Sequence, residues 1–239
     1  MTTGPQIGTL NEAPLHADLK AWYAQPDDRP EAHVDGFVID LVRPLPNGPA
    51  DELLIEIQTR RLGAIRRKLD RLLPNHPVRL VSPVPVEKWL VKLSHRDGQT
   101  PERRKSPKRG TLIDVFREWV SIAPLIGHPN LGLEVLLIHE EEVRRFDGRR
   151  GWRRRGWITE ERRLLDVIDQ RRFDSLDSLR ALLPGTLPDA FNTSDLASAL
   201  EIPRWLAQKM AYVMRECGAI HALSRRRSGI LYTRSPDTS

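Results

Sequence analysis

The sequence has 239 residues, of which 39% are hydrophobic and 29% charged, and its formal net charge is +6. This composition is typical of a globular protein, and no apolar run has the roughly 20 residues that a membrane-spanning helix needs. The N-terminus does not resemble a signal peptide, and the single cysteine, Cys217, excludes both a disulfide framework and a cysteine-based zinc site. We therefore expect a cytoplasmic protein with no membrane partner.

Arginine dominates the cations, and its planar fork of donors suits phosphate groups. Together with a pI near 9.8, this favours a nucleic-acid partner, although arginine richness also follows from a GC-rich genome. The basic residues form short clusters at Arg103-Arg104-Lys105, Lys108-Arg109, Arg144-Arg145, Arg149-Arg150, Arg153-Arg154-Arg155 and Arg225-Arg226-Arg227.

The first elements in chain order are a helix and two strands. Residues 10–24 read as a helix, on which Glu12 and His16 lie one turn apart on the same face. Two apolar runs then read as strands, separated by a turn rich in proline and glycine. Asp40 lies in the first run, and Glu56 and Gln58 lie in the second, pointing to the same face of their strand.

If the two strands pair as a hairpin, Asp40 lies beside Glu56. Two converging carboxylates are ligands that a hard cation such as Mg²⁺ prefers. The alternative is that both acids are solvated positions of a half-exposed sheet. Because they interrupt otherwise apolar runs, where an unpaired acid is costly, the metal-site hypothesis is the one to test first.

These residues resemble the core motif of the PD-(D/E)xK nuclease superfamily, which includes Holliday-junction resolvases and many restriction enzymes. The resemblance covers the first third to half of the chain and implies that Glu12, Asp40 and Glu56 hold Mg²⁺ (or Mn²⁺). Gln58 stands where the family usually has lysine, so it brings hydrogen bonds but no positive charge. Lys68, on the next helix, is a candidate to replace that lysine, or else a solvated helix residue.

The remaining pattern of the first module predicts an α/β fold with a mixed sheet flanked by helices, the restriction-endonuclease-like core. A basic helix at 60–73 between strands at 53–59 and 78–84 predicts a right-handed crossover and a parallel pair. Further on, we expect a strand at 88–93, an exposed loop at 94–110, a helix at 111–126, a strand at 131–138 and a basic loop or flexible hairpin at 144–157. In that loop Trp152 and Trp157 suit either stacking on unpaired bases or core packing.

The character of the sequence changes near residue 159, so we divide the chain into a nuclease-like module at 1–158 and a small α+β module at 159–239. We expect helices at 161–167 and 176–183, then two helices joined by a short turn, and a hairpin with a basic tip. That order resembles a winged helix-turn-helix domain. It implies DNA contacts from Arg204 and Lys209 on the second helix and from Arg225, Arg226 and Arg227 at the tip. Winged helices also serve as protein-interaction modules.

The sequence therefore predicts a metal-dependent nuclease that hydrolyses DNA, single-stranded or branched substrates included, and that can act as a homodimer. Asp40, Glu56, Gln58, Lys68 and His16 are the candidate catalytic residues. His16 also reads as a polar surface residue, and Asp35, before Gly36, reads as a turn residue or a substitute for Asp40. The alternatives are a non-catalytic DNA-binding regulator or repair accessory protein with a degenerate site, and an RNA-processing nuclease.

Overall fold

The computed structural model describes residues 13–46, 51–93, 102–147, 156–226 and 229–234, and of Arg226 only the backbone. The larger sheet has seven strands in the order β1-β2-β3-β4-β6-β7, with β5 paired to β4. Its strands are β1 (Arg29–Val34), β2 (Phe37–Pro44), β3 (Glu52–Ile57), β4 (Val78–Leu93), β5 (Glu102–Lys105), β6 (Leu131–Phe146) and β7 (Trp157–Phe173). The helices that accompany it are α1 (Pro14–Tyr23), α2 (Arg66–Leu72) and α3 (Phe116–Trp119).

A second, three-stranded sheet lies near the C-terminus, in the order β8-β10-β9. It consists of β8 (Ala190–Phe191), β9 (Ile220–Arg226) and β10 (Gly229–Arg234), with helices α4 (Leu176–Arg180), α5 (Thr193–Ala199) and α6 (Arg204–Glu216). Strand β10 pairs antiparallel with both β8 and β9. The expected mixed α/β architecture with a small C-terminal α+β element is confirmed.

The strands around the predicted acids form as expected. Strands β1 and β2 are joined by Asp35 and Gly36, both with positive φ, which is the Asp-Gly pattern of a tight hairpin turn. Strand β2 pairs antiparallel with β3, and β3 pairs parallel with β4. The crossover between β3 and β4 contains a 3-10 turn, Leu62–Ala64, followed by α2, whose Leu69 and Leu72 are buried. The predicted hairpin and parallel crossover are both confirmed.

Several predicted elements differ from the structure. The helix expected at 161–167 is wrong, because these residues belong to β7, where pairing beside β6 outweighs a weak local helical preference. The two strands expected at 78–84 and 88–93 are one strand, since the φ of Pro83 and Pro85 is compatible with extended chain. Within the predicted 94–110 loop, residues 102–105 form the exposed strand β5. Strand β7 also crosses the predicted module boundary at 158, and that division stays a prediction.

By its internal contacts the chain forms two compact units. The first comprises Met1–Pro26, Val84–Thr111 and Leu136–Asp169, and the second, which we call the pocket unit, comprises Asp27–Pro83, Leu112–Val135 and Gln170–Ser239. The core of the pocket unit includes Ile39, Leu41, Leu54, Ile55 and Trp119. Among the helices that the structure describes, none is long and apolar enough to cross a membrane.

Candidate functional site

Asp40 and Glu56 face each other across two antiparallel strands of the pocket unit. The register pairs Leu41 with Ile55, and one step further along it Asp40 stands opposite Glu56. Opposite residues of an antiparallel pair point to the same face of the sheet. The Asp40 Oδ2 atom accepts a hydrogen bond from the backbone N–H of Ile57, at 2.7 Å, so the strand next to it fixes its carboxylate. The predicted convergence of the two acids is confirmed.

Lys68 contacts this acidic pair from the crossover helix. Its Nζ forms an ion pair with Oε1 of Glu56 and donates a hydrogen bond to the carbonyl oxygen of Val38, at 2.5 Å. Leu69 and Leu72 of helix α2 are buried, and Lys68 of the same helix reaches the two strands. The structure thus brings Lys68 to Glu56, as the sequence predicted it could.

Burial and the charge of Asp40 raise the pKa of Glu56 from 4.5 to about 7. Lys68 and the backbone N–H of Asp40 oppose this rise but do not cancel it. Glu56 is only 5% exposed, so water stabilises its ionised form poorly. Burial and the neighbouring Asp40 carboxylate therefore outweigh the ion pair with Lys68 in setting the pKa of Glu56.

An open depression of about 560 Å³ lies beside the acids, and Glu56 is part of its wall. Gln58 also lines it, and the side-chain amide of Gln58 donates a hydrogen bond to the carbonyl oxygen of Arg60. The other lining residues are Asp35, Phe37, Ala64, Ile65, Arg67, Lys68 and Arg71. Asp35 contributes to its rim, and its carboxylate lies 2.9 Å from Nε2 of His76.

The donor chemistry of the site fits a hard divalent cation, because carboxylate oxygens are the ligands that Mg²⁺ prefers. A bound cation would also stabilise the ionised form of Glu56, which burial and Asp40 disfavour. Of the predicted ligands, Asp40 and Glu56 come together, and Glu12 lies outside the described residues. Within the part of the chain that the structure describes, no group of three or more His, Cys, Asp or Glu side chains could hold a metal. His16 is a half-buried residue of α1 in the first unit, so its predicted role beside these acids stays a prediction.

The C-terminal part of the pocket unit presents a mixed aromatic and basic helix face. Helix α6 packs against α3 and the 3-10 turn Val120–Leu125. The Trp205 side chain is 43% exposed. The guanidinium carbon of Arg117 lies over its ring, 4.7 Å from the ring centroid. Nζ of Lys209 donates to the carbonyl oxygen of Arg117 at 3.2 Å, while Arg204 is exposed. Lys209 is thus engaged with α3, and DNA contact by Arg204 and Lys209 stays a prediction.

The predicted basic tip is only partly described. Arg225 is exposed on β9, the backbone of Arg226 ends that strand, and Arg227 lies outside the described residues. Of the two tryptophans predicted for base stacking, Trp152 is also outside them. Trp157 is half-buried in the first unit, with Nζ of Lys92 at 5.2 Å and the ring of Phe146 at 5.7 Å from its ring centroid. These contacts suit packing of Trp157 within its own unit.

The site lies inside a region that recurs in other proteins. Residues 13–174 match the family described as "Domain of unknown function (DUF8091)". The chain belongs to this family. It is also similar to a protein of Treponema pallidum (strain Nichols), described as uncharacterized, with 32% identity over 191 residues that cover 80% of this chain and 73% of that protein. No solved structure matches the chain. The family match includes the acids and α2 and ends one residue after β7.

Within this family region, sequence reasoning missed the residues that build the depression around the acids. Phe37 was assigned only to a strand, and Arg67 and Arg71 only to a basic helix. A signal was present, because Arg67, Lys68 and Arg71 lie within one turn and share a helical face. Lys68, on the helix after Glu56, is the candidate to replace the missing lysine, and Arg67 and Arg71 lie on the same helical face as Lys68.

Proposed function

We propose that this chain is a metal-dependent nuclease that hydrolyses nucleic-acid phosphodiester bonds. In this proposal the sheet of the pocket unit is a restriction-endonuclease-like core, and residues after Phe173 form a winged helix-turn-helix element. The observation that carries the proposal is the meeting of Asp40, Glu56 and Lys68 beside an open depression lined by further cations. The sequence separation of the three residues makes the arrangement a product of the fold rather than of a local run.

Asp40 and Glu56 would hold the cation, which we infer to be Mg²⁺ or Mn²⁺. Such a cation lowers the pKa of a bound water and stabilises the charge that develops on the phosphate. The chain's own residues prepare the site. Lys68 keeps Glu56 closer to its ionised form, the backbone N–H of Ile57 orients Asp40, and Gln58 offers an amide to a water or a phosphate oxygen.

The order of elements after β7 supports the winged-helix part of the proposal. Helix α5 is capped by Asn192, a short turn follows, and α6 leads into the β9–β10 hairpin, with β8 as the third strand. This is the arrangement of a helix-turn-helix with a wing. Because α6 packs on α3 within the pocket unit, we expect this element to act together with the nuclease-like core and not as a free module.

A cleavage assay tests the proposal. Purified protein is incubated with single-stranded, duplex and branched DNA and with RNA, in Mg²⁺, in Mn²⁺ and in EDTA. We expect cleavage that needs the metal and that disappears in Asp40→Asn, a variant of nearly the same size. Cleavage in EDTA, or equal cleavage by Asp40→Asn prepared in parallel, would sink the assignment.

One observation favours a second candidate, a non-catalytic DNA-binding protein that keeps a degenerate site. Only two carboxylates converge among the described residues, and one of the two N–H donors of the Gln58 amide already bonds to the carbonyl oxygen of Arg60. The same assay separates the two functions if binding is measured beside cleavage. Tight binding of DNA with no cleavage in either metal would favour the second candidate. A DNA partner, a homodimer and a cytoplasmic location stay predictions in both cases.

A further inference from the structure

The depression beside Glu56 has walls of two chemical kinds. One part of the wall is cationic and is formed by Arg67, Lys68 and Arg71, on a single helical face of α2. Lys68 is engaged by Glu56 and the carbonyl oxygen of Val38. Arg67 and Arg71 are exposed, and neither forms an ion pair with another residue that the structure describes. Two guanidinium groups beside one cavity are suited to bind phosphate oxygens.

Another part of the wall of the depression is apolar. Phe37, Ala64 and Ile65 contribute to it; Phe37 is half-buried, and Ile65 is 5% exposed. Half-buried aromatic rings are stacking surfaces for nucleic-acid bases, which all have a π-face. A phosphate alone would need the arginines but not this apolar wall, so the walls together match a ligand with an anionic part and a flat apolar part.

The volume of the depression limits how that ligand is presented. About 560 Å³ lies within the range of roughly 300–1,000 Å³ in which proteins enclose small organic molecules. The bases of a duplex are stacked inside the helix and cannot enter a cavity unless they leave the stack. An unpaired nucleotide can enter without the breaking of a base pair.

We propose that this depression binds one unpaired nucleotide of a single nucleic-acid strand, with its base against Phe37 and its phosphate beside Arg67 and Arg71. The inference deepens and rests on the proposed function, since Glu56 lines the same depression. It assigns single-stranded nucleic acid, or the frayed end of a duplex, as the substrate class. DNA and RNA strands share this chemistry, and the arms of the experiment distinguish them.

The test is a binding measurement in EDTA, so that no cleavage takes place. Fluorescence anisotropy follows a short single-stranded DNA, the RNA of the same sequence, the blunt duplex, and a DNA strand with abasic sites. We expect the single strand to bind at least about 10-fold more tightly than the duplex and than the abasic strand, because base stacking on an aromatic ring contributes on this scale.

Substitutions at two positions report on the apolar wall. Phe37→Ala should weaken single-strand binding about 10-fold and remove the difference between normal and abasic strands, while Phe37→Trp keeps both. Ala64→Leu fills the depression from an exposed position and should also weaken single-strand binding. The exposed Ala181, on the C-cap of α4, supplies the matched control Ala181→Leu, which should bind as wild type does. If Phe37→Ala does not fold, Ala64→Leu decides alone.

Two arginine variants report on the cationic wall. Arg67→Ala and Arg71→Ala should each weaken binding of every strand and lower the salt slope by about one counterion. Equal affinity for single strand and duplex, or unchanged single-strand affinity in Ala64→Leu, would overturn the inference. Failure of the proposed function looks different, because the protein would then prefer single strands in EDTA yet cleave nothing in Mg²⁺ or Mn²⁺.

Discussion

Glu56 in the pocket unit and Glu142 in the first unit are both almost fully buried carboxylates, yet their pKa values move in opposite directions. Glu142 is 4% exposed, and burial alone would raise its pKa. Hydrogen bonds from Thr159 and Arg144, at 2.7 and 2.8 Å, and the charges of Lys88 and Arg144 lower it instead to about 2. Glu56 has Lys68 as a cationic partner but also the Asp40 carboxylate, and its pKa rises to about 7.

The difference shows how burial and neighbours combine. In the first unit the carboxylates of β6 are held by a network of cations, since Glu140 lies 2.6 Å from Lys88 and 3.4 Å from Arg162. In the pocket unit Glu56 pairs with Lys68 and also lies beside a second acid, Asp40. A network of ion pairs stabilises a fold, whereas two neighbouring acids beside a depression, one of them with a raised pKa, are typical of a cation-binding or catalytic site. Four predictions test that contrast, beginning with the largest expected effect.

Cleavage should depend on Glu56 and not on Glu142. In Glu56→Gln the cleavage rate should fall by more than about 100-fold, since even residues outside a metal's ligand shell change activity or affinity by about 10- to 100-fold. Binding of DNA should stay within a few-fold of wild type. Glu142→Gln, assayed at a temperature where it is folded, should cleave at nearly the wild-type rate. A similar loss in both variants would show that the contrast reflects stability alone.

Stability should depend on Glu142 more than on Glu56. Glu142→Ala leaves Arg144 and Lys88 without one of their carboxylates, and we expect a loss of about 2–4 kcal/mol in the free energy of unfolding. This loss is at the lower end of what breaking a buried ion pair costs, because Lys88 retains its ion pair with Glu140 and is partly exposed. Denaturant unfolding at neutral pH measures the loss. An unchanged midpoint would mean that the network contributes no net stability.

The two acids should also give opposite dependences of stability on pH in EDTA. Because the pKa of Glu56 is raised in the folded state, its contribution is fully present below pH 4.5 and is lost as the pH rises through about 7. The loss should be about 3 kcal/mol relative to Glu56→Gln. The lowered pKa of Glu142 gives stability present above pH 4.5 and lost as the pH falls toward 2. If the free energy of unfolding changes with pH equally in wild type and Glu56→Gln between pH 5 and 8, the prediction for Glu56 is wrong.

The neutral hydrogen-bond donors beside the two regions should have the smallest effects. Gln58→Ala should lower the cleavage rate by about 10-fold, as loss of a positioned donor does, with little change in stability. Thr159→Val, which removes the hydroxyl donor to Glu142, should cost about 1 kcal/mol of stability and leave cleavage unchanged. Rates measured at saturating metal and melting curves separate the two effects. A wild-type rate in Gln58→Ala would assign Gln58 to structure alone.

Much of the candidate site could be predicted because its signals are local. Apolar runs with single acids, a turn rich in proline and glycine, and a basic helix before the next strand predicted β2, β3, α2 and their pairing. The depression could not be predicted, because its walls come from Phe37 at one end of β2 and from α2, and they meet only through the crossover. The sequence predicts a helix at 161–167, inside β7, because the pairing that stabilises this strand comes from β6, outside its own sequence.

The sequence by itself determined the class of the fold, the hairpin that carries Asp40 and Glu56, and the helices and hairpin near the C-terminus, because side-chain periodicity and turn residues act over a few positions. Only the tertiary structure decided which buried carboxylates are held in the ionised form by cations and hydrogen-bond donors. Glu142 finds Thr159 and Lys88 through strand pairing, while Glu56 finds Asp40 and a single lysine. The energy of a buried charge depends on distances to groups far away in sequence and on the water excluded around them, and no local pattern records either quantity.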